Sequence, residues 1–393
     1  MKKKEIKNIY TSAVHAGEEH NITSAIVPPI WCSVNYRENS VEHLAKISAQ
    51  DRPVQFYPRY NSPLSNQISK QMAEFEHTED GLVLGSGMAA ISSAIICTLK
   101  TGDHIVAQKN LYAGTQKLLR DILPSFGITT TFVNQENTNE FSDALQKNTK
   151  IIYIETPSNP LMKITDLKFI GNLGRKKKIL TMVDSTFASP VNQNAVEFGI
   201  DVILQSGTKY LGGHSDLMAG IVCGTKNFIC RVWDYSHIVG HSISPFDAAL
   251  LLRGIKTLPL RVKKQNENAS GLAEFLSGHK KISKVFYPGL KSFLQHKLAK
   301  SQMKGFGGML SFEVKAGYNK TKKFLESLEL CKISVSLGGV ESLVTLPVSM
   351  WKPYYTRKQL KEIGLSDSMI RMSVGIENLN DIITDLEQGF KKI

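Results

Sequence analysis

Between residues 80 and 205 the chain repeats one pattern. A short apolar run rich in β-branched residues is followed by a glycine-rich or polar turn and then by a longer stretch with helical spacing. The runs are Leu82-Val83-Leu84, His104-Ile105-Val106-Ala107, Lys150–Glu155, Ile179–Asp184 and Asp201–Gln205. They show little polar alternation, so both faces of each strand are covered, as in a parallel sheet between two layers of helices. Met88–Leu99 and Leu111–Leu123 read as intervening helices, and apolar Ile68, Met72 and Phe75 mark another that begins near Ser65. The pattern predicts an α/β unit over residues 63–255, built on a mostly parallel sheet.

The flanking regions differ. Residues 1–62 are rich in turn formers (Pro28-Pro29, Arg52-Pro53, Tyr57-Pro58) and poor in periodicity, so an extended arm is expected there. Residues 256–393 carry a helical stretch at Arg261–Ser277, a glycine-rich strand region at Gly305–Phe312 and an amphipathic last helix at Leu379–Phe390. A smaller α+β unit is expected there. A length of 393 residues is too great for one small core, in keeping with this division.

Composition excludes several functions. The net charge of +13 invites a nucleic-acid partner, but the basic residues are scattered. Their densest cluster, Arg175-Lys176-Lys177-Lys178, sits where a helix ends and complements its dipole. No nucleic-acid partner is expected. No apolar run reaches membrane-spanning length, and none follows the charged start Met1-Lys2-Lys3-Lys4, so no membrane partner and a cytoplasmic location are expected. The five cysteines, Cys32, Cys97, Cys223, Cys230 and Cys331, are odd in number, far apart and without metal spacing. Reduced, buried thiols are expected. His15 and His20 lack metal partners, and no metal site is expected.

Lys209 is the residue that points to chemistry. It follows the last strand in Ser206-Gly207-Thr208-Lys209-Tyr210-Leu211-Gly212-Gly213. Alone it would be a strand-end lysine reaching into solvent. Here two hydroxyls precede it that can donate to phosphate oxygens, and glycines admit a bulky ligand close to the backbone. Desolvation in such a place lowers a lysine's pKa and makes a Schiff base feasible. Other candidates also fall at carboxyl ends of strands, where ligands of such sheets bind. Gly85-Ser86-Gly87-Met88-Ala89-Ala90 opens a helix whose free amides suit a phosphate. The same run imitates a dinucleotide fingerprint, with Asp103 near the place of a ribose partner, so a nucleotide-binding oxidoreductase stays open as another class. Tyr112 could stack on a flat cofactor. Asn159 ends a strand in a turn. Asp184 ends another, where a buried carboxylate calls for a cation such as a protonated pyridine nitrogen, or else caps a helix. Arg371 offers a fork for a substrate carboxylate. His214-Ser215-Asp216 names the residues of a hydrolase triad, but adjacent side chains seldom converge. An amine, phosphate donors, a stacking ring and an acid are together the parts that a pyridoxal 5'-phosphate enzyme needs.

Over nearly the whole chain, from His15-Ala16-Gly17 to Ser373-Val374-Gly375-Ile376-Glu377, the sequence resembles the cystathionine γ-synthase, γ-lyase and β-lyase group of pyridoxal-phosphate enzymes, which includes methionine γ-lyase. The likeness is specific at Ser206–Asp216, Leu252–Leu258, Tyr287–Leu290 and Ser336–Gly339. It implies the aspartate-aminotransferase-like fold type I and the trans-sulfuration reactions of that group. It further implies that Lys209 is the Schiff-base lysine and proton shuttle, and that Gly87, Met88, Ser206 and Thr208 hold the phosphate. Tyr57 and Arg59 would reach that phosphate from a neighbouring subunit, within a homotetramer made of two dimers. Tyr112 would stack and assist proton movement, while Asn159, Ser336 and Arg371 would hold the substrate carboxylate and cofactor oxygens.

Departures from the group bear on the reaction. Asn61-Ser62-Pro63 replaces Gly-Asn-Pro, Ser185 replaces an asparagine and Gln205 a histidine. Lys117 stands for an arginine near the distal end of the substrate, and Val335 for a glutamate of the γ-enzymes. Val335 and Phe56-Tyr57 lean toward β-lyases and methionine γ-lyases, whereas Gly114 stands where methionine γ-lyase has a reactive cysteine. Cystathionine processing is expected. The alternatives are methionine γ-lyase, an O-acylhomoserine sulfhydrylase, or a cofactor-binding protein that has lost catalysis.

Overall fold

The computed structural model describes residues 8–351, 360 and 364–393, which form two sheets. The larger contains β1 (Asp80–Leu84), β2 (His104–Gln108), β3 (Thr129–Val133), β4 (Thr149–Glu155), β5 (Leu180–Asp184), β6 (Val202–Ser206) and β7 (Gly220–Gly224), in the order β1-β7-β6-β5-β4-β2-β3. Strands β2 to β6 pair in parallel, and β7 runs antiparallel to both of its neighbours. The central strands are buried almost throughout, which is why their sequences lack alternation. Edge strand β3 is half-exposed and rich in threonine, so it leaves no apolar run to recognise.

Local chemistry sets the helix ends. Ser62 caps the helix Pro63–Phe75 by accepting the Ser65 amide, and Pro63 occupies the first turn, where its missing N–H costs nothing. The Asn61 side chain donates to the Arg52 carbonyl, so the altered arm turn is closed by its own residues. Ser86 caps the helix Gly87–Ile96 in the same way. The helix expected over Leu111–Leu123 is less regular. It is α-helical at Ala113–Lys117, widens to a π turn at Leu118–Ile122 and tightens to 3-10 geometry at Leu123–Phe126. Pro124 lies in that tight turn and cannot donate to an α-helical ladder.

The arm is only partly extended. The helix Ile9–His15 packs Ala13 into the large core, while Ile26 and Val27 lie 89% and 79% exposed in a stretch without regular structure. The smaller sheet contains β8 (Ile282–Phe286), β9 (Met309–Val314), β10 (Lys332–Ile333), β11 (Leu343–Thr345) and β12 (Met369–Ser373), in the order β10-β11-β12-β9-β8. Its pairings are antiparallel except β10 with β11. Helices Leu258–Gly278 and Leu379–Phe390 pack Leu272, Leu276, Ile382 and Leu386 into the same core as Phe312 and Met372 of this sheet. All five thiols are free, but only Cys223 and Cys331 are buried; Cys32 is exposed and Cys97 and Cys230 are half-buried, which corrects the expectation of burial.

Glu76, just past the helix Pro63–Phe75, is fully buried. One of its oxygens accepts from Gln205 Nε2 at 2.8 Å, and Oε2 has no partner. Burial pushes its carboxyl up to about 8, against the smaller opposing effects of Gln205 and Lys304. The folded chain therefore holds a proton that the unfolded chain releases near 4.5. Its contribution to stability is complete below that value and is lost as pH rises toward 8. Glu76→Gln should flatten the fall in melting temperature between pH 5 and 8, worth on the order of a few kcal/mol. Parallel melting curves for the two proteins across that range would contradict this account.

Candidate active site

Strands β4, β5 and β6 lie side by side in parallel and end on Glu155, Asp184 and Ser206. Glu155 is opposite Asp184 in register. The chain thus sets two acids and a hydroxyl in a row along the carboxyl edge, and Lys209 follows one turn beyond, its amide bonded to the Ser206 carbonyl at 3.1 Å. Arg261, 5% exposed on the helix Leu258–Gly278, fixes the loop after the lysine. It donates to the carbonyls of Tyr210 at 2.8 Å, Leu211 at 3.3 Å and Gly254 at 2.7 Å. From the other side Gly338 comes so close, at φ +77, that a Cβ there would meet the Tyr210 amide nitrogen at 2.7 Å.

The Lys209 amine donates to Ser336 Oγ at 2.7 Å. Ser336 holds a left-handed backbone, φ 76, and its carbonyl accepts from Arg371 at 2.9 Å. Arg371, central in β12, also donates to Asn159 Oδ1 at 3.3 Å, and its Nε is buried without a partner. One network therefore joins the carboxyl edge of the large sheet to the small sheet. Burial, with the Arg371 charge second, lowers the Lys209 amine to about 8. Burial brings Arg371 to about 10, so it remains a cation near neutral pH.

The two acids are the electrostatic anomaly. Asp184 Oδ1 accepts from the Thr186 amide at 3.0 Å and its hydroxyl at 2.6 Å. Glu155 accepts the Tyr112 amide at 2.7 Å and the Asn159 amide at 3.1 Å. Burial pushes both carboxyls up, Glu155 to about 8. Among the described residues neither has an ion-pair partner. A buried acid of this kind is costly unless a cation arrives.

Beside them the helix Gly87–Ile96 opens against Ser206: a Cβ on Gly87 would meet Ser206 Cβ and Oγ at 3.0 Å. The amides of Gly87 and Met88 belong to the first turn, ahead of any intrahelical acceptor. The Thr208 hydroxyl is bonded within its own loop, to Ala219 N at 3.0 Å and Ala219 O at 3.3 Å. The Tyr112 ring is half exposed and lies over Gly114, where a Cβ would meet it at 2.6 Å.

Tyr57, Arg59 and Lys117 do not join the network within the single chain. Arg59 donates to the His237 carbonyl at 2.6 Å and lies over the rings of Tyr57 and Tyr60, against the helix Lys226–Val239. Lys117 is exposed one turn before Asp121, whose carboxyl it helps to lower after the larger effect of Arg120. Glu155 was not singled out from the sequence, although the argument applied to Asp184, an acid ending an apolar strand, applies to it equally. Arg261 left no local signal.

Other arrangements fall away. Asp103 precedes β2, at the opposite end of the strands from Gly85, and its Oδ2 accepts the Lys100 amide, so it cannot complete a dinucleotide fingerprint. His214 Nδ1 meets the Gly212 carbonyl and Ser215 donates to Glu341, so no triad forms. Among the described residues no cluster could hold a metal ion, and no helix is long and apolar enough to cross a membrane.

The residues present fit pyridoxal phosphate. They provide an amine close to neutrality, unclaimed amides at a helix start, and buried acids that lack a counter-charge. In the cofactor-free protein, labelling by fluorodinitrobenzene as a function of pH should show Lys209 titrating near 8. Arg371→Met should raise the Lys209 value only in part, because burial is the larger cause. An ordinary lysine titration at position 209 would contradict this electrostatic picture.

Comparison with known proteins agrees with this chemistry. The family described as Cys/Met metabolism PLP-dependent enzyme matches residues 10–391. An L-methionine gamma-lyase of Fusobacterium nucleatum subsp. nucleatum is 38% identical over 386 residues, covering 98% of each chain. A cystathionine beta-lyase of Lactococcus lactis subsp. cremoris is 37% identical over 388 residues, covering 98% of this chain and 99% of that one. The crystal structure of a cystathionine gamma-lyase from Lactobacillus plantarum complexed with L-serine superposes with a TM-score of 0.91 at 33% identity, over 98% of this chain and 99% of that one. The fold is accordingly the type I fold of pyridoxal-phosphate enzymes, and the chain belongs to the pyridoxal-phosphate-dependent enzymes of cysteine and methionine metabolism.

Proposed function

We propose that this enzyme cleaves the carbon–sulfur bond of cystathionine, with Lys209 as the group that holds the cofactor and moves protons. The observation that carries this is the position of the Lys209 amine: near-neutral, beyond the acid Asp184, and 2.7 Å from a serine that the carboxylate-seeking Arg371 also grips. Bound pyridoxal phosphate supplies an electron sink for negative charge at the amino acid's α-carbon. Asp184 would keep the ring nitrogen protonated. Gly87, Met88, Ser206 and Thr208 would hold the phosphate, and Tyr57 and Arg59 of a second copy would complete it. Arg371, whose Nε still has a free donor, would take the substrate carboxylate together with Asn159 and Ser336.

Lys209, as the neutral amine, takes the α-proton. When sulfur is on the γ-carbon it must also take one from the β-carbon. Tyr112 would stack on the cofactor and help return a proton to the leaving sulfur. In this arrangement residues 63–255 bind the cofactor, residues 256–393 bring the carboxylate-binding arginine, and residues 1–62 reach a neighbouring subunit of a cytoplasmic homotetramer. The exposed Ile26 and Val27 of the arm and the half-exposed Tyr57 support that last point. Lys117 would lie toward the distal end of the substrate.

A second reading is methionine γ-lyase. It is favoured by the relative of that name and by exposed Val335 beside Ser336, where an apolar side chain suits a thioether better than a charged amino acid. Incubation with each amino acid separates them. Pyruvate with homocysteine reports β-cleavage of cystathionine, 2-oxobutyrate with cysteine its γ-cleavage, and 2-oxobutyrate with methanethiol the cleavage of methionine. Absence of a 2-oxo acid from every sulfur amino acid would refute lyase activity. Lys209→Ala should lower turnover by roughly 10²- to 10⁴-fold, the usual contribution of a positioned general base, while the phosphate-binding residues still retain free cofactor. Unchanged turnover would remove Lys209 from its role.

A further inference from the structure

Glu155 has no part in the assignments above, yet it touches more of the site than any of its neighbours along β4. It is 4% exposed, and its two oxygens serve two different segments: Oε2 accepts the Tyr112 amide at 2.7 Å and Oε1 the Asn159 amide at 3.1 Å. Tyr112 belongs to the turn after β2 and Asn159 to the turn after β4, so the carboxylate ties together two loops that leave adjacent strands. Gln108, the last residue of β2, strengthens the tie by donating to the Glu155 carbonyl at 2.8 Å and to the Asn110 carbonyl at 2.7 Å. The downstream partners matter. The Tyr112 ring lies over Gly114, close to Met88 of the helix start, and the Asn159 side chain accepts from Arg371.

The charges around Glu155 are all of one kind or neutral. Across from it on β5 stands Asp184; two residues back on the same face of β4 is Tyr153, a buried phenol whose ionisation is opposed by burial and then by both acids. The turn segments offer Glu155 backbone amides; their lysines are engaged elsewhere, Lys109 exposed to solvent and Lys163 paired with Glu136. Strands in a sheet are about 5 Å apart, and two full negative charges at that spacing, out of water, repel strongly. The pair therefore resists carrying both negative charges until a cation joins it.

We propose that Glu155 is a positioning residue that couples the charge on Asp184 to the placement of Tyr112 and Asn159. This rests on the pyridoxal reading, in which a protonated ring nitrogen meets Asp184. Once that cation balances Asp184, Glu155 can carry its own negative charge and becomes the stronger acceptor for both amides. Cofactor binding then tightens the two turns that hold the stacking ring and the carboxylate-binding asparagine. By reciprocity, loosening those turns weakens cofactor binding.

Glu155→Gln tests this, because the amide side chain cannot gain charge and sets an NH2 donor in place of one of the two oxygens that now accept the N–H groups. Hydrogen exchange followed by mass spectrometry on segments 110–116 and 156–163 should show faster exchange in at least one of the two segments of the cofactor-free variant. Added pyridoxal phosphate should slow both segments in the unmodified protein and no longer slow them together in the variant. The dissociation constant for the cofactor, read from quenching of intrinsic fluorescence, should rise by about tenfold, within the usual range of coupling between sites. Turnover should fall and KM rise together. Glu155→Asp keeps the charge at shorter reach; it should retain protection of one segment and an intermediate affinity.

Unchanged exchange, affinity and kinetics in Glu155→Gln would overturn the proposal while leaving the functional reading intact. A lower melting temperature with unaltered cofactor affinity, or failure of both variants to fold, would make Glu155 a stability residue and also overturn it. Failure of the unmodified chain to bind the cofactor at all would instead sink the functional reading, and the coupling with it.

Discussion

An open parallel sheet brings the ends of several strands to one edge, and this chain ends two neighbouring central strands there in carboxyl groups that have no ion-pair partner among the described residues. The rest of the site follows from that arrangement. Glu155 and Asp184 are kept from water by the sheet and its covering helices, so their electrostatic cost is not relieved by solvent. A ligand with a protonated ring nitrogen relieves it. A neutral ligand, or one that brings only phosphate, does not.

Against this acidic edge the small sheet sets cations. Arg371 comes from the middle of β12, and its charge lies near enough to Lys209 to help strip the amine of its proton. Asp184, an acid seeking a cation, and Lys209, an amine inclined to neutrality, both come from the large sheet, and Arg371 of the small sheet adds to the burial that favours the neutral amine. Ser336, with its left-handed backbone, stands between them and bonds to both Lys209 and Arg371. A strained backbone held by bonds on both sides is a common mark of a working site.

Much of this could be seen in the sequence. The buried strands β2, β4, β5 and β6 betrayed themselves as apolar runs, and the last helix was visible from its periodicity. Strand β3 was hidden by its threonines, and β7 by the glycines that bound it. Lys209, Asp184 and Ser206 stood out because they follow or end apolar strands, where a polar group needs a reason. Glu155 met the same criterion but sat in a segment dominated by prolines and a turn asparagine, which drew attention to the turn instead. Arg261 and the bond from Lys209 to Ser336 join residues 50 or more apart in sequence, and no local pattern announces such pairs. Within one chain Arg59 donates to His237 and lies over the rings of Tyr57 and Tyr60, contacts that no local pattern announces.

The grip of Arg261 has a mechanical corollary. That arginine sits on the first turns of the helix Leu258–Gly278, where Leu258 and Val262 pack in the large core, while Ala269, Leu272 and Leu276 farther along pack in the smaller one. The loop just past Lys209 is therefore fastened to the end of a rod that both cores share.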